Sequence, residues 1–420
     1  MSAYSLLRMI ALAGWIAAAP AVAAPQWVPT WVVSQQPVWR PDELPLPTGL
    51  PARLEDRTVR QVARVSIGGS RVRVVLSNQY GRVPLTVGAV QLARHAGGGR
   101  IDPASNHAVT FAGQPAVSIP PGATATSDPV PLSSPLPALA EVAISLHLPG
   151  PTRIDTFHWD GRQTAYIVDG NHVADTALPR PETFQTRLLL SAIEVEARQP
   201  APVVVALGDS ITEGNGATPD ANRRWPDVLA ARLAGDGIAV LNAGISGGQL
   251  LRAGMGEAGR ARFERDVLDV PGVQTVIVAL GINDIGWPGS TFLPTTRLPA
   301  AADLIAGYQS LIDRAHRRGV RVIGATITPF AGALAVEGSP IHGYASPEKD
   351  ALRQQVNHWV RTSGAFDAVA DFDTALRDPA HPDALHPAFD SGDHLHPGNR
   401  GYAAMAGAID PATLLPARQP

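Results

Sequence analysis

At 420 residues, with 45% hydrophobic and 17% charged side chains, the chain can build a sizeable core and suits two domains better than one. A formal net charge of −3 gives no general pull toward nucleic acid or anionic lipid, and the absence of cysteine excludes disulfides and thiolate metal sites. The basic residues are Arg almost throughout, Lys349 being the only Lys.

Arg8 precedes an apolar run, Met9–Ala19, and Ala21-Val22-Ala23 offers small residues for cleavage. This is the pattern of a signal peptide over residues 1–23, with a buried N-terminal helix as the alternative. The run is short for a bilayer span and no later segment is longer, so the expected address is secreted or periplasmic, without stable membrane insertion.

Residues 24–195 have a β texture. In Glu141–Leu148, Val142, Ile144, Leu146 and Leu148 share one face, and in Ser70–Ser77 Arg71 and Arg73 oppose Val72, Val74 and Leu76. Turn signals recur at Gly68-Gly69, Tyr80-Gly81, Ala96–Gly99, Pro120–Gly122 and Asp160-Gly161. Short strands at this spacing predict an all-β sandwich, jelly-roll-like, as an accessory domain. Residues 196–202, Glu-Ala-Arg-Gln-Pro-Ala-Pro, read as a linker.

From 203 to 420 the texture changes. Val203–Leu207, Ile238–Leu241, Thr275–Leu280 and Val320–Thr326 read as buried parallel strands, followed by a further strand near Phe366–Phe372. Trp225, Val228, Leu229 and Leu233 recur at helical spacing, as do Leu304, Ile305, Tyr308, Leu311, Ile312 and Ala315, and Asn399–Ile409 is a last helix. Alternating strands and helices predict a three-layer α/β domain with a parallel sheet, whose ligands bind beyond the carboxyl ends of the strands.

The chemistry gathers at those ends. Gly208-Asp209-Ser210 offers a hydroxyl on a strand-to-helix turn, although Asp209-Ser210 can equally be a helix cap. In Asp393-His394-Leu395-His396 the spacing lets the Asp393 carboxylate orient the His396 imidazole. A polar loop, or a metal set of Asp393, His394, His396 and His386, are the alternatives there, the latter without a recognised ligand spacing. Asn242–Gly247 and Gly281-Ile282-Asn283-Asp284 can each supply oxyanion donors, or be ordinary turns. Gly244-Ile245-Ser246-Gly247-Gly248 matches the G-x-S-x-G elbow and makes Ser246 a rival nucleophile.

Taken in order, Gly208-Asp209-Ser210, the Asn242–Gly247 block, Gly281-Ile282-Asn283-Asp284 and Asp393-His394-Leu395-His396 resemble the four blocks of the SGNH, or GDSL, hydrolase family, over roughly Pro202 to Ile409. The resemblance implies a flavodoxin-like fold, with Ser210 as nucleophile, His396 as base and Asp393 as its orienting acid. It further implies an oxyanion hole of the Ser210 N–H, the Gly247 N–H and the Asn283 side chain, no metal or organic cofactor, and Trp225-Pro226 at the start of the first long helix. His394 departs from the small residue usual at its position. The β-rich half, on Val72–Asn78 and Ser127–Val130, resembles the β-sandwich that precedes the catalytic domain in some bacterial secreted SGNH enzymes.

The reading that follows is a secreted serine esterase working through an acyl-serine intermediate and removing acetyl or other short acyl groups from a carbohydrate. Its substrate is a small acyl ester or an acylated glycan, and no nucleic-acid partner is expected. A lipolytic esterase, lysophospholipase or arylesterase is the alternative, with Trp287–Leu293 and Phe330–Val336 as candidate walls of an acyl groove. A non-catalytic binding protein on the same fold is the reading from a different class.

Overall fold

The computed structural model describes residues 26–415 except 41, 45, 52–53 and 198–200. The expected signal peptide, residues 1–23, lies outside the described residues. Among the described residues no helix is long and apolar enough to cross a membrane.

The first half is antiparallel β-structure. One sheet orders Gln26–Val32, Leu190–Ala197, Gly69–Ser77 and Val130–Leu136, and another orders Glu182–Phe184, Ala165–Asp169, Arg57–Arg64, Glu141–Leu148, Ala89–Arg94 and His107–Val109. The predicted alternation holds: Val72, Val74 and Leu76 of one sheet and Val142, Ile144, Leu146 and Leu148 of the other belong to one contiguous core. The outer face of Glu141–Leu148 is covered as well. There Ser145 accepts a hydrogen bond from the buried Arg60 guanidinium at 2.8 Å, and Arg60 also binds the carbonyls of Gly99 and Asp175. The last strand runs through Ala197, so Glu196 and Ala197, placed in the linker by composition, pair in the sheet with Trp27 and Gln26.

The second half holds a parallel sheet ordered Ala239–Gly244, Val203–Gly208, Val273–Ala279, Arg321–Ala325, Ala368–Ala370. The order 2-1-3-4-5 is that of flavodoxin-like folds. Around it stand α1 (Ser210–Glu213), α2 (Trp225–Leu233), α3 (Gly259–Phe263), α4 (Ile282–Gly286), α5 (Ala301–Arg317), α6 (Pro347–Thr362), α7 (Phe372–Leu376) and α8 (Asn399–Gly407). Val203–Gly208 is buried along its whole length because it is sandwiched between neighbours and covered on both faces. In α5 the apolar stripe Leu304, Tyr308, Leu311, Ile312 and Ala315 faces the core as its spacing predicts.

The halves meet along the sheet's first edge. Val240, on the edge strand Ala239–Gly244, donates its backbone N–H to Ser66 of the β-rich half at 2.8 Å. That contact satisfies a group which an exposed edge would leave open to pairing.

Candidate active site

Strand Val203–Gly208 delivers Gly208-Asp209-Ser210 to the carboxyl end of the sheet. A Cβ at Gly208 would collide with Thr212, so the turn demands glycine. Asp209 is extended and caps α1, accepting the Ile211 N–H at 3.0 Å. Ser210 opens α1, which lasts one turn before Gly214, at φ +113°, ends it. The long helix expected after the turn is therefore α2, beginning at Trp225.

The tail loop before α8 brings Asp393 and His396 to the same place. Asp393 Oδ2 lies 2.6 Å from His396 Nδ1, and Asp393 Oδ1 accepts the N–H groups of His396 at 2.8 Å and Leu395 at 3.0 Å. His396 Nε2 stands 2.8 Å from Ser210 Oγ. An ionised carboxylate only accepts, so Nδ1 carries a proton and Nε2 offers its lone pair to the serine hydroxyl. Burial pushes the Asp393 carboxyl up, but its His396 hydrogen bond, the nearby imidazole and the two backbone N–H groups outweigh this and hold it well below the usual range. The line of three groups can take a proton from Ser210 and hand it back.

Two further strand ends reach the same rim of the sheet, Gly248 packing against Gly208 and Asp209. After Ala239–Gly244 the chain turns at Gly247, φ +64°, where a Cβ would press on Trp287 at 2.6 Å and on the Met255 sulfur at 2.8 Å. Only glycine fits there. Among the described residues neither the Gly247 N–H nor the Ser210 N–H has an acceptor, and such open donors are what a developing oxyanion requires. After Val273–Ala279, Gly281 at φ +117° leads into α4 and Asn283. The Asn283 amide nitrogen donates to Gly248 O at 3.0 Å, which leaves its second N–H, while Asn283 Oδ1 accepts the Tyr344 hydroxyl at 2.8 Å.

Two buried carboxyls lie behind the site. Burial raises Asp209 to about 7, against the Ile211 N–H and His396, and raises Asp284 to about 6, against the N–H groups of Leu250 and Leu251. Asp284 accepts those two N–H groups at 2.7 and 2.9 Å, tying α4 to the loop after Gly247.

The structure separates Ser246 from this arrangement. Ser246 is buried, donates its hydroxyl to Glu213 and accepts from Asn215 Nδ2 at 2.7 Å, so its oxygen faces a carboxylate rather than an imidazole. The metal alternative is dispersed: His394, 52% exposed, pairs with Asp390 at 2.6 Å, and His386 Nδ1 accepts the Ala388 N–H. Among the described residues no three such side chains converge on a metal-sized site. The proposed groove walls are largely consumed in packing. Trp287 is buried and stacks on Phe292 at 4.6 Å, and Phe330 is buried edge-on to Tyr344. A separate space, bounded by Asp209, Ile211, Ile282, Ile327 and Phe372 and not by Ser210, measures about 20 Å³, room for a water or so.

Sequence reasoning missed four contributors: Tyr344, Lys349, Glu213 and His158. It also passed over α6, although Ser346 accepts the Lys349 N–H as its cap, Pro347 opens it, and Leu352, Val356 and Val360 line its buried face.

Residues 206–404 match the GDSL-like lipase/acylhydrolase family. Among solved structures, the chain is similar to a GDSL-like lipase from Bacteroides thetaiotaomicron VPI-5482, 19% identical over 50% of this chain and 87% of that one, TM-score 0.37. It is similar to a lipase/acylhydrolase from Enterococcus faecalis, 21% identical over 50% and 93%, TM-score 0.37. It is also similar to a carbohydrate acetylesterase from Sinorhizobium meliloti, 18% identical over 50% and 96%, TM-score 0.37. No curated protein matches it.

Proposed function

We propose that residues 206–404, which match the GDSL-like lipase/acylhydrolase family, are a carboxylic-ester hydrolase domain with Ser210, His396 and Asp393 as its catalytic triad. The observation that carries this is the 2.8 Å approach of His396 Nε2 to Ser210 Oγ, with Asp393 on the other ring nitrogen. Ser210 Oγ attacks the ester carbonyl carbon while His396 Nε2 takes its proton. The carbonyl oxygen becomes an oxyanion, received by the N–H groups of Ser210 and Gly247 and the free N–H of Asn283. The imidazolium then protonates the leaving alcohol oxygen, and an acyl-serine remains. Water, deprotonated by His396, attacks that acyl carbon, and collapse of the second tetrahedral intermediate releases the acid and returns the proton to Ser210.

The substrate we propose is a short acyl ester, chiefly acetyl, on a carbohydrate outside the cytoplasm. The commitment of Trp287 and Phe330 to packing supports a short acyl group. The Arg8–Ala23 segment supports export, and the β-rich half supplies an accessory domain beside the catalytic one. A chain-length series of nitrophenyl esters, run beside acetylated xylan and other acetylated glycans, tests this. The best rate is expected at two carbons, with acetate released from a glycan. A best rate at eight carbons or more overturns the acetyl reading in favour of a lipolytic one.

A further inference from the structure

An oxyanion-hole amide works only one way round. If the Asn283 carboxamide turns over, its oxygen faces the oxyanion and repels it. Gly248 O, an acceptor only, draws the nitrogen toward itself at 3.0 Å. The oxygen then meets one group, the Tyr344 hydroxyl at 2.8 Å. We propose that Tyr344 is a positioning residue for catalysis, donating its O–H to Asn283 Oδ1 so that the amide presents its free N–H to the oxyanion. This rests on the proposed role of Asn283.

Three features make Tyr344 more than core filling. Its side chain is 2% exposed, and its hydroxyl has Asn283 as its partner, so the bond is not in exchange with bulk water. Burial first, then the charges of Asp209, Asp393 and Asp284, push its phenol well above the ordinary value, which keeps the proton there to be donated. Donation to an amide oxygen also draws electron density from the amide and strengthens its N–H groups as donors. One contact thus orients the oxyanion donor and polarises it.

The ring's position is itself built. A Cβ at Gly286 would collide with it, so α4 must carry glycine there, and Phe330 packs edge-on at 6.0 Å. The chain's only Lys completes the clamp. Lys349 Nζ donates to the carbonyls of Gly343 at 2.6 Å, Gly286 at 2.8 Å and Tyr344 at 3.3 Å. One ammonium therefore ties the end of the helix that carries Asn283 to the backbone that carries Tyr344. Helix α6 holds this ammonium in place.

Tyr344→Phe removes one oxygen and keeps the ring. The expected result is a fall of about tenfold in kcat with KM within about twofold, smaller than the 10²–10³ of losing an oxyanion donor outright. Affinity for a trifluoromethyl ketone, whose adduct carries an oxyanion, should fall by the same factor as kcat. In an Asn283→Ala background, Tyr344→Phe should change kcat by less than about twofold, because its effect passes through Asn283. An unchanged kcat in Tyr344→Phe, beside a crippled Asn283→Ala, overturns the inference alone. An equal fall in both backgrounds overturns it too, since the role would then be structural. Undiminished turnover by Asn283→Ala overturns the oxyanion-hole reading, and the role of Tyr344 with it.

Discussion

His158, on strand Thr156–His158 of the β-rich half, lies 2.8 Å from Glu213, the last residue of the helix that Ser210 opens. Their side chains are 4% and 1% exposed. The ring's other nitrogen meets Ser34 O at 3.0 Å, and the other Glu213 oxygen receives the Ser246 hydroxyl. Arg262 makes a second strut, donating to Ser34 Oγ at 3.1 Å, Ala243 O at 2.7 Å and Gly208 O at 2.9 Å. The β-rich half thus braces the turn that carries Ser210 from behind.

His158→Ala should therefore harm both stability and turnover. It removes the buried imidazole beside Glu213 and leaves that carboxyl only the Ser246 hydroxyl, a loss of about 1–3 kcal/mol for a buried polar group that loses a neighbour. Denaturant unfolding measures it. A change under about 1 kcal/mol would show that Glu213 finds another partner or neutralises at little cost.

Asp393→Asn should cut kcat by a factor on the order of 10³–10⁴, because an amide can present its nitrogen to His396 and select the wrong tautomer. The stability effect has a defined sign. Asp393 titrates below an unfolded carboxyl, so its stabilisation is present above the unfolded pKa and is lost as pH falls through the folded one. The stability gap between wild type and Asp393→Asn should hold from neutral pH to about 4 and close below that. A gap that widens in acid contradicts the assignment.

Asp209 has the opposite linkage. Its carboxyl moves from 3.8 to about 7 in the fold, so the native state holds the proton more tightly and stability falls as pH rises between those values. Once ionised, this is worth up to roughly 4 kcal/mol. Asn can keep the cap to Ile211 without the charge. Asp209→Asn should gain on wild type in thermal midpoint at pH 8 and show little gain at pH 4. A variant less stable at pH 8 than at pH 4, relative to wild type, would show that the ionised carboxylate is favoured.

Asn283→Ala should lower kcat by roughly 10²–10³. It also strands the Tyr344 hydroxyl, bonded at 2.8 Å to the lost oxygen, and so should cost about 1–3 kcal/mol of stability. A rate loss under threefold would remove Asn283 from the site.

Three of the four proposed catalytic blocks were legible because they follow a strand, while the fourth, Asp393–His396, lies in the loop before α8. Glycines 208, 247 and 281 mark those ends, and the carboxyl rim of a parallel sheet gathers them from distant parts of the chain. The alternation of Val142, Ile144 and Leu146 gave away the sandwich for the same local reason, one face following another at period two. What escaped was non-local. Nothing in Thr156-Phe157-His158 announces a carboxylate partner far along the chain, and Lys349 acts through three backbone carbonyls that no composition reveals. Arg60 is similar: the Asn171–Asp175 loop, more than a hundred residues on, folds over it and supplies acceptors. Ser246 shows the converse. Its motif is locally sound, and only the neighbouring Glu213 shows that it has no imidazole to activate it.

The most direct test of the account is the intact mass of the protein after treatment with a fluorophosphonate, for wild type, Ser210→Ala and Ser246→Ala. One covalent adduct on wild type and on Ser246→Ala, with none on Ser210→Ala, is the predicted result. An adduct that persists in Ser210→Ala and disappears in Ser246→Ala would contradict it.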